Sequence, residues 1–388
     1  MDRIDFDSAA ATPVDPAVTA VVNTAVENYY ANPGSVHKEG ETAHSALERA
    51  RCRVAQSIGA RPHEIIFTSG GTEGNNLGLF GIAYGKEYFG GTIITSTLEH
   101  SSVREPLREL KERGCSVVEI PCDKEGRVSA KDVKEALTTD TFLISIHLAH
   151  NEIGTIQPIR EIAEVVREYR HEHACVYPYV HSDACQAPRT LSTMTETLGV
   201  DCMTISGAKV YGPRGSGYLY LREGTNCAPL HYGGGQEYGL RSGTEDVASC
   251  IGLAEALALC ASLRKEETQR LSLLRDEFID ALCALPGVAL NGPRKERLAQ
   301  NVNVSFKHLS GERMIMELDK RGIAAATGSA CSSRTRGSSH VIRSLSDDVW
   351  RWEGAVRFSL PRTVTREHVR TVLNAVSDIL DTCTTFHC

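Results

Sequence analysis

The chain has no Cys-x-x-Cys pair, although thirteen cysteines are scattered through its 388 residues from Cys52 to Cys388. That spacing supports neither a zinc site nor a disulfide framework, so most of the thiols are expected to be reduced and buried as small hydrophobes. The end of the chain, Cys383 to Cys388 with His387, offers only two kinds of soft ligand; it reads as a mobile tail near a partner surface, with no metal assigned. Lys and Arg never mass into a basic block and the formal net charge is −7, which argues against direct nucleic-acid binding or an anionic membrane as the main business of the protein. Met1 to Asp7 is acidic and has no apolar run, unlike a secretory signal or an Arg-rich transit peptide. A long uninterrupted apolar run is also missing: the best candidate, Val247 to Leu263, is broken by Ser249, Glu255 and Ser262 and reads as a buried helix. No internal repeat or low-complexity tract occurs. These absences leave a cytoplasmic enzyme as the expectation.

What is present is an alternation of short apolar runs and helical patterns. Asp15 before Pro16 is an N-cap followed by proline at the first helical position. Ala43, Leu47, Ala50, Val54 and Ile58 then share one face of a second helix that stops at Gly59. Strands are expected at 64–68, 92–96, 116–120 and 141–147, with an extended run ending at Asp183 and another delivering Lys209; helices lie between them. This order predicts an α/β fold, a mainly parallel sheet with helices on both faces. Beyond the apolar helix at 246–263 the pattern changes to a helix near 271–285, a strand at 301–306, a helix at 311–321, a Ser/Arg/Gly-rich loop and a closing helix. The expected division is a large domain over 14–260 and a smaller α+β domain formed by 1–13 with 261–388, the latter carrying a mobile loop at about 327–340.

The stretch Ile205 to Gly217 organises the candidate site. A short apolar run delivers Ser206 and Lys209, and the chain leaves at once through Gly212, Pro213, Gly215 and Gly217. A lysine at a strand end can lose its proton in a low-dielectric setting and tether pyridoxal phosphate as a Schiff base; a surface lysine beside a turn has the same local sequence. Thr68 to Glu73 follows a strand and opens a helix, a place suited to one phosphate group or to a plain turn. Asp183, at a strand end with Gln186 three residues on, is either a cap or the partner of a pyridine nitrogen. His100 is either a loop histidine or a ring that stacks on a cofactor. Cys331 lies in a small, polar loop, and Arg334 and Arg336 nearby would favour its thiolate.

Together these stretches resemble the cysteine desulfurases of the fold-type I pyridoxal phosphate enzymes, the group that serves iron–sulfur cluster assembly and tRNA thiolation. The likeness runs from Asp5–Pro13 to Arg357–Leu360. Its most specific parts are Asn32-Pro33-Gly34-Ser35-Val36-His37, Asn151-Glu152-Ile153-Gly154, Gly233-Gly234-Gly235-Gln236-Glu237, Arg241-Ser242-Gly243-Thr244 and Gly328-Ser329-Ala330-Cys331-Ser332-Ser333. The resemblance implies that Lys209 tethers pyridoxal 5′-phosphate, Asp183 pairs with its ring nitrogen, Gln186 bonds the ring's phenolic oxygen, and His100 stacks on the ring and moves protons. It implies that Thr72 and Ser206, with the helix N-terminus at Gly71, hold the phosphate, and that Thr244 reaches it from the other subunit of a homodimer. Asn151 and Arg357 would bind the carboxylate of L-cysteine. Cys331 would take the sulfur, leaving alanine and a persulfide for an acceptor protein; the Ala-Cys-Ser-Ser form and long loop resemble the subgroup that works with scaffold proteins.

The sequence departs from that pattern where the family carries a phosphate-binding histidine before the lysine: here the residue is Ala208. Arg214 replaces a family lysine and keeps the charge. Two alternatives stay open at the level of sequence: a related lyase, epimerase or aminotransferase in which Cys331 is incidental, and a catalytically weak sulfur-relay or scaffold-binding protein.

Overall fold

The computed structural model describes residues 3–86, 90–328 and 339–384. The first half runs β1 (Ile4–Asp5), α1 (Pro16–Asn28), α2 (Lys38–Ile58), β2 (Ile65–Thr68), α3 (Gly71–Tyr84), β3 (Thr92–Ser96), α4 (Ser101–Glu112), β4 (Ser116–Ile120), α5 (Ala130–Ala136), β5 (Thr141–Ser145), α6 (Ile159–Glu172) and β6 (Tyr179–Asp183). It continues as α7 (Thr195–Leu198), β7 (Cys202–Ser206), β8 (Gly217–Leu221), α8 (Val247–Cys283), β9 (Val288–Leu290), β10 (Asn301–Phe306), α9 (Gly311–Lys320), β11 (Ile323–Ala324), α10 (His340–Leu345), α11 (Val349–Glu353), β12 (Ala355–Ser359) and α12 (Arg366–Thr384). The helix boundaries have local causes. The Asp15 side chain accepts the N–H of Ala17 to start α1, and Gly59, at φ 69°, ends α2 in the left-handed conformation that favours glycine.

Seven strands form the central sheet in the order β2-β8-β7-β6-β5-β3-β4. Only β8 is antiparallel to its neighbours; β3 to β7 pair in parallel. Both faces are covered, which is why β2, β3, β5 and β7 are buried along their whole length. One face packs Val18, Leu47, Val54, Ile162 and Leu253 against Ile144 and Ile205. Leu77, Leu79, Val103 and Leu107 pack with Phe142 and Leu219 in another cluster. The α/β class read from the sequence is the class observed.

A further core gathers Phe6, Phe278, Phe306 and Phe358 around the antiparallel sheet β12-β10-β9. Phe6 meets Phe278 edge-on at 5.8 Å. The two helices expected at 246–263 and 271–285 are one 37-residue helix, α8. The polar stretch between them, Arg264 to Arg270, contains no glycine or proline and is rich in good helix formers, so nothing stops propagation. Leu253 and Leu257 of α8 serve the first core, and Leu271, Leu274 and Phe278 the second, so residue 260 lies inside a continuous helix. Among the described residues α8 is the one helix long and apolar enough to cross a membrane, and these five residues are buried in protein. Fewer cysteines are buried than expected: of the ten free thiols from Cys52 to Cys283, four are buried, four half-buried, and Cys175 and Cys283 exposed.

Candidate active site

The carboxyl ends of β2, β3, β5, β6 and β7 open on one side of the sheet into a cavity of about 340 Å³, closed from the other side by Ala9, Ala10 and Arg357. Ligands collect at such strand ends in open α/β sheets because loops and helix N-termini converge there. Gly71, Thr72, His100, Asn151, Asp183, Gln186, Ser206, Lys209 and Arg357, all read from the sequence as site residues, line this one cavity. Thr244 does not: it is exposed, on the segment before α8. Cys331 and most of its loop lie outside the described residues.

One end of the cavity is built to receive an anion. Gly70 caps α3 at φ 141°, a conformation favouring glycine, and a Cβ on Gly71 would come within 2.8 Å of Cys185 Sγ. The first turn of α3 therefore lies close under the strand ends, with Ser206 opposite and Thr72 at the wall. Glu73, in the same turn and also lining the cavity, has its carboxylate held by Arg241, whose Nε donates at 2.7 Å, and by the N–H of Ser69 at 2.8 Å. Burial would raise the Glu73 carboxyl, but these bonds hold it below its ordinary value.

Asp183 ends β6 as an ionised carboxylate. Burial acts to raise it; the N–H of Cys185 at 3.0 Å, His100 and the Nδ2 of Asn75 at 2.7 Å together hold it below the usual aspartate range. His100 follows β3 and caps α4, its Nδ1 accepting the N–H of Ser102 at 3.1 Å. Burial pushes its pKa down, with Asp183 opposing and Lys209 adding to the depression. Lys209 stands in a single 3-10 turn after β7, and its Nζ donates to the carbonyl of Ala10. Gln186 donates its amide to the carbonyl of Ala9 at 3.0 Å. Arg357, 1% exposed, donates Nη2 to Asp7 at 2.6 Å and Nη1 to the carbonyl of Asn151 at 3.3 Å; its buried Nε has no partner.

Several lining residues carried no sequence signal. His147 donates from Nδ1 to the fully buried Glu99 at 2.8 Å. His150 accepts the N–H groups of Glu152 and Ile153 at Nδ1, so its proton sits on Nε2, directed at the carbonyl of Leu98 at 3.0 Å. Ser102 and Cys185 also line the cavity, while Asn75 sits behind it on α3. A histidine or serine placed two to six residues beyond a strand end was the available clue, and only His100 was singled out.

A model of the aminotransferase class-V family matches residues 4–372. The chain belongs to this family. Among curated class-V relatives, the cysteine desulfurase IscS of Dictyoglomus turgidum is 40% identical over 380 residues, covering 98% of this chain and 95% of that protein. A solved NifS-like protein superposes with a TM-score of 0.91 at 34% identity, over 98% of this chain and all of the other. A solved structure of SspA in complex with cysteine superposes with a TM-score of 0.80 at 32% identity, over 94% of this chain and all of the other. Class-V proteins of this kind work with pyridoxal 5′-phosphate, and the residues present fit that group: an ionised buried carboxylate, a lysine, a histidine and an open helix N-terminus face one cavity of suitable size.

Proposed function

We propose that this protein is a cysteine desulfurase that converts L-cysteine to L-alanine and leaves the sulfur as a persulfide on Cys331. The observation that carries the reading is the convergence of Lys209, Asp183, His100 and Arg357 on one cavity. Relatives named cysteine desulfurase along nearly the whole chain support it, as does the cysteine-bound neighbour. Bound pyridoxal phosphate supplies an electron sink that weakens bonds at the substrate carbons next to its amine.

Lys209 would offer the amine that holds the cofactor, and the Asp183 carboxylate would keep a ring nitrogen protonated. Gln186 would donate toward the phenolic oxygen, and His100 would lie against the ring. Gly71, Thr72 and Ser206 would hold the phosphate through N–H and hydroxyl donors at the positive end of α3. Arg357 and Asn151 orient the substrate carboxylate. The half of the Arg357 fork not held by Asp7 suits this task, because a planar guanidinium binds a carboxylate in fixed geometry. Cys331 Sγ then forms an S–S bond with the substrate sulfur as the substrate C–S bond breaks; the electron pair leaves with carbon, and protonation there completes alanine.

The reading extends to a cytoplasmic homodimer in which Thr244 of the partner subunit completes the phosphate site, supported by the exposure of Thr244 outside its own chain's cavity. The separate phenylalanine core supports a division into a cofactor-binding domain at 14–260 and a smaller domain. The sulfur acceptor is a protein of iron–sulfur cluster assembly or tRNA thiolation; neither a membrane nor nucleic acid is a direct partner. The test is product stoichiometry. Purified protein given L-cysteine and reductant should release alanine and sulfide in equal amounts without any keto acid. Pyruvate and ammonia, or a requirement for a keto acid, would replace this reading with a lyase or an aminotransferase.

A further inference from the structure

Asn75 lies on α3, fully buried, and was not among the residues expected at the site. Its single amide nitrogen reaches two acceptors: Asp183 Oδ2 at 2.7 Å and Ser102 Oγ at 2.8 Å. Its Oδ1 is buried without a partner. Turning the amide over would set an oxygen against the Asp183 carboxylate and lose that charged bond, so one orphaned acceptor is the lesser cost.

The bond to Ser102 has a directional consequence. A hydroxyl that accepts from Asn75 has its proton left to give, and His100 Nδ1 stands 2.8 Å away. The same Nδ1 accepts the backbone N–H of Ser102, which can only donate. Nδ1 is thereby held as an acceptor, and neutral His100 carries its proton on Nε2, the nitrogen on the opposite edge of the ring.

We infer that Asn75 is a positioning residue that fixes, through one amide, both the Asp183 carboxylate and, by way of Ser102, the tautomer of His100. This rests on the cofactor reading above for its purpose: Asp183 arrives oriented toward a ring nitrogen, and neutral His100 presents its Nε2–H as a hydrogen-bond donor. The charged and titratable groups facing His100 are Asp183 from β6, Lys209 from the turn after β7, His150 from the β5–α6 connection, His340 at the start of α10, and Glu99 beside it. None of them bonds Nδ1, so that nitrogen's role is set by Ser102 alone, through its backbone N–H and through the hydroxyl that Asn75 orients.

The test is an NMR titration of the His100 ring in the full chain stripped of cofactor, where the outcome does not depend on turnover. Asn75→Ala frees the Ser102 oxygen to accept from a protonated ring and leaves the Asp183 charge less satisfied; both effects raise the His100 midpoint, by about half to one pH unit. Ser102→Ala should also raise it, Ser102→Thr should restore it, and the double variant should move no further than Asn75→Ala alone. An unchanged midpoint in either alanine variant, or a double shift equal to the sum of the singles, overturns the inference. If Asn75→Ala does not fold, Ser102→Ala against Ser102→Thr carries the same test. Alanine release by the loaded wild type is measured separately, so failure of the desulfurase reading is distinguishable from failure of this one.

Discussion

Arg51→Ala should cost far more than its distance from the cavity suggests. Arg51 on α2 and Glu237, in the Gly233–Glu237 stretch, are 3% and 2% exposed and pair through two bonds of 2.6 and 2.8 Å. Burial works to lower the Arg51 pKa, but the bonds and charge of Glu237 outweigh it and raise it. The guanidinium also donates to the carbonyl of Ile65 and lies 4.8 Å from the Phe67 ring centroid, while Glu237 accepts the N–H of Phe67 at 2.8 Å. The pair thus bolts the segment to β2, and holds Glu237 and Tyr238 at φ 48° and 57°, a conformation side chains rarely adopt. Removing one partner leaves a buried charge uncompensated, a loss of about 3–5 kcal/mol. Because the same segment sends Arg241 to Glu73, next to Thr72, cofactor retention should fall with stability. Denaturant unfolding of wild type, Arg51→Ala and the double variant Arg51→Met with Glu237→Leu measures the effect. The double variant removes both charges but orphans the Phe67 N–H, so it should cost about 1–3 kcal/mol, less than the single. A loss under about 1 kcal/mol for Arg51→Ala, or a double variant worse than the single, would refute the reasoning.

Lys209→Ala should abolish the visible absorbance band of the bound cofactor; a variant that keeps the band would move the tether elsewhere. Ala208 lines the cavity beside Lys209, and a charged-group hydrogen bond is worth about 1.5–3 kcal/mol. The wild type should therefore purify partly empty, and Ala208→His should tighten retention roughly tenfold to a hundredfold on dialysis; no gain would mean another group already serves the phosphate. Stability should fall with acid between pH 6.5 and about 4. Burial depresses His181 to about 4, with Asp183 opposing, and holds His150 well below the ordinary value. The unfolded chain therefore binds more protons in that window, and each imidazole lowers stability by up to about 1.4 kcal/mol per pH unit. An unfolding midpoint that does not move between pH 7 and 5 would contradict this.

The strand-end chemistry was legible because each residue announced itself by position. Asp183 closes an extended run, Lys209 follows one, and Gly71 opens a helix; all three stand where expected. Their convergence followed from the βα alternation, since parallel strands bring their carboxyl ends to one side. Residues that act through others were illegible. Asn75 looks like any polar helix residue until α3 is packed against β6, and Glu99 gains meaning only when His147 arrives from β5. The continuity of α8 was missed because its polar middle has no core to face, although its helix propensity was sufficient to carry it across. The orientation of β8, antiparallel within a parallel sheet, depends on the tight return after Lys209, and no periodicity encodes that.

On the desulfurase reading Cys331 is the residue on which the chemistry turns, and its sulfur can be weighed directly. Brief exposure of wild type to L-cysteine, followed by alkylation and mass spectrometry of the digested protein, should find one extra sulfur atom on the Cys331 peptide and on no other cysteine. Cys331→Ser should still take up L-cysteine and keep its cofactor band while releasing almost no alanine. Wild type without the added sulfur, or Cys331→Ser with near-normal alanine release, would contradict the desulfurase reading.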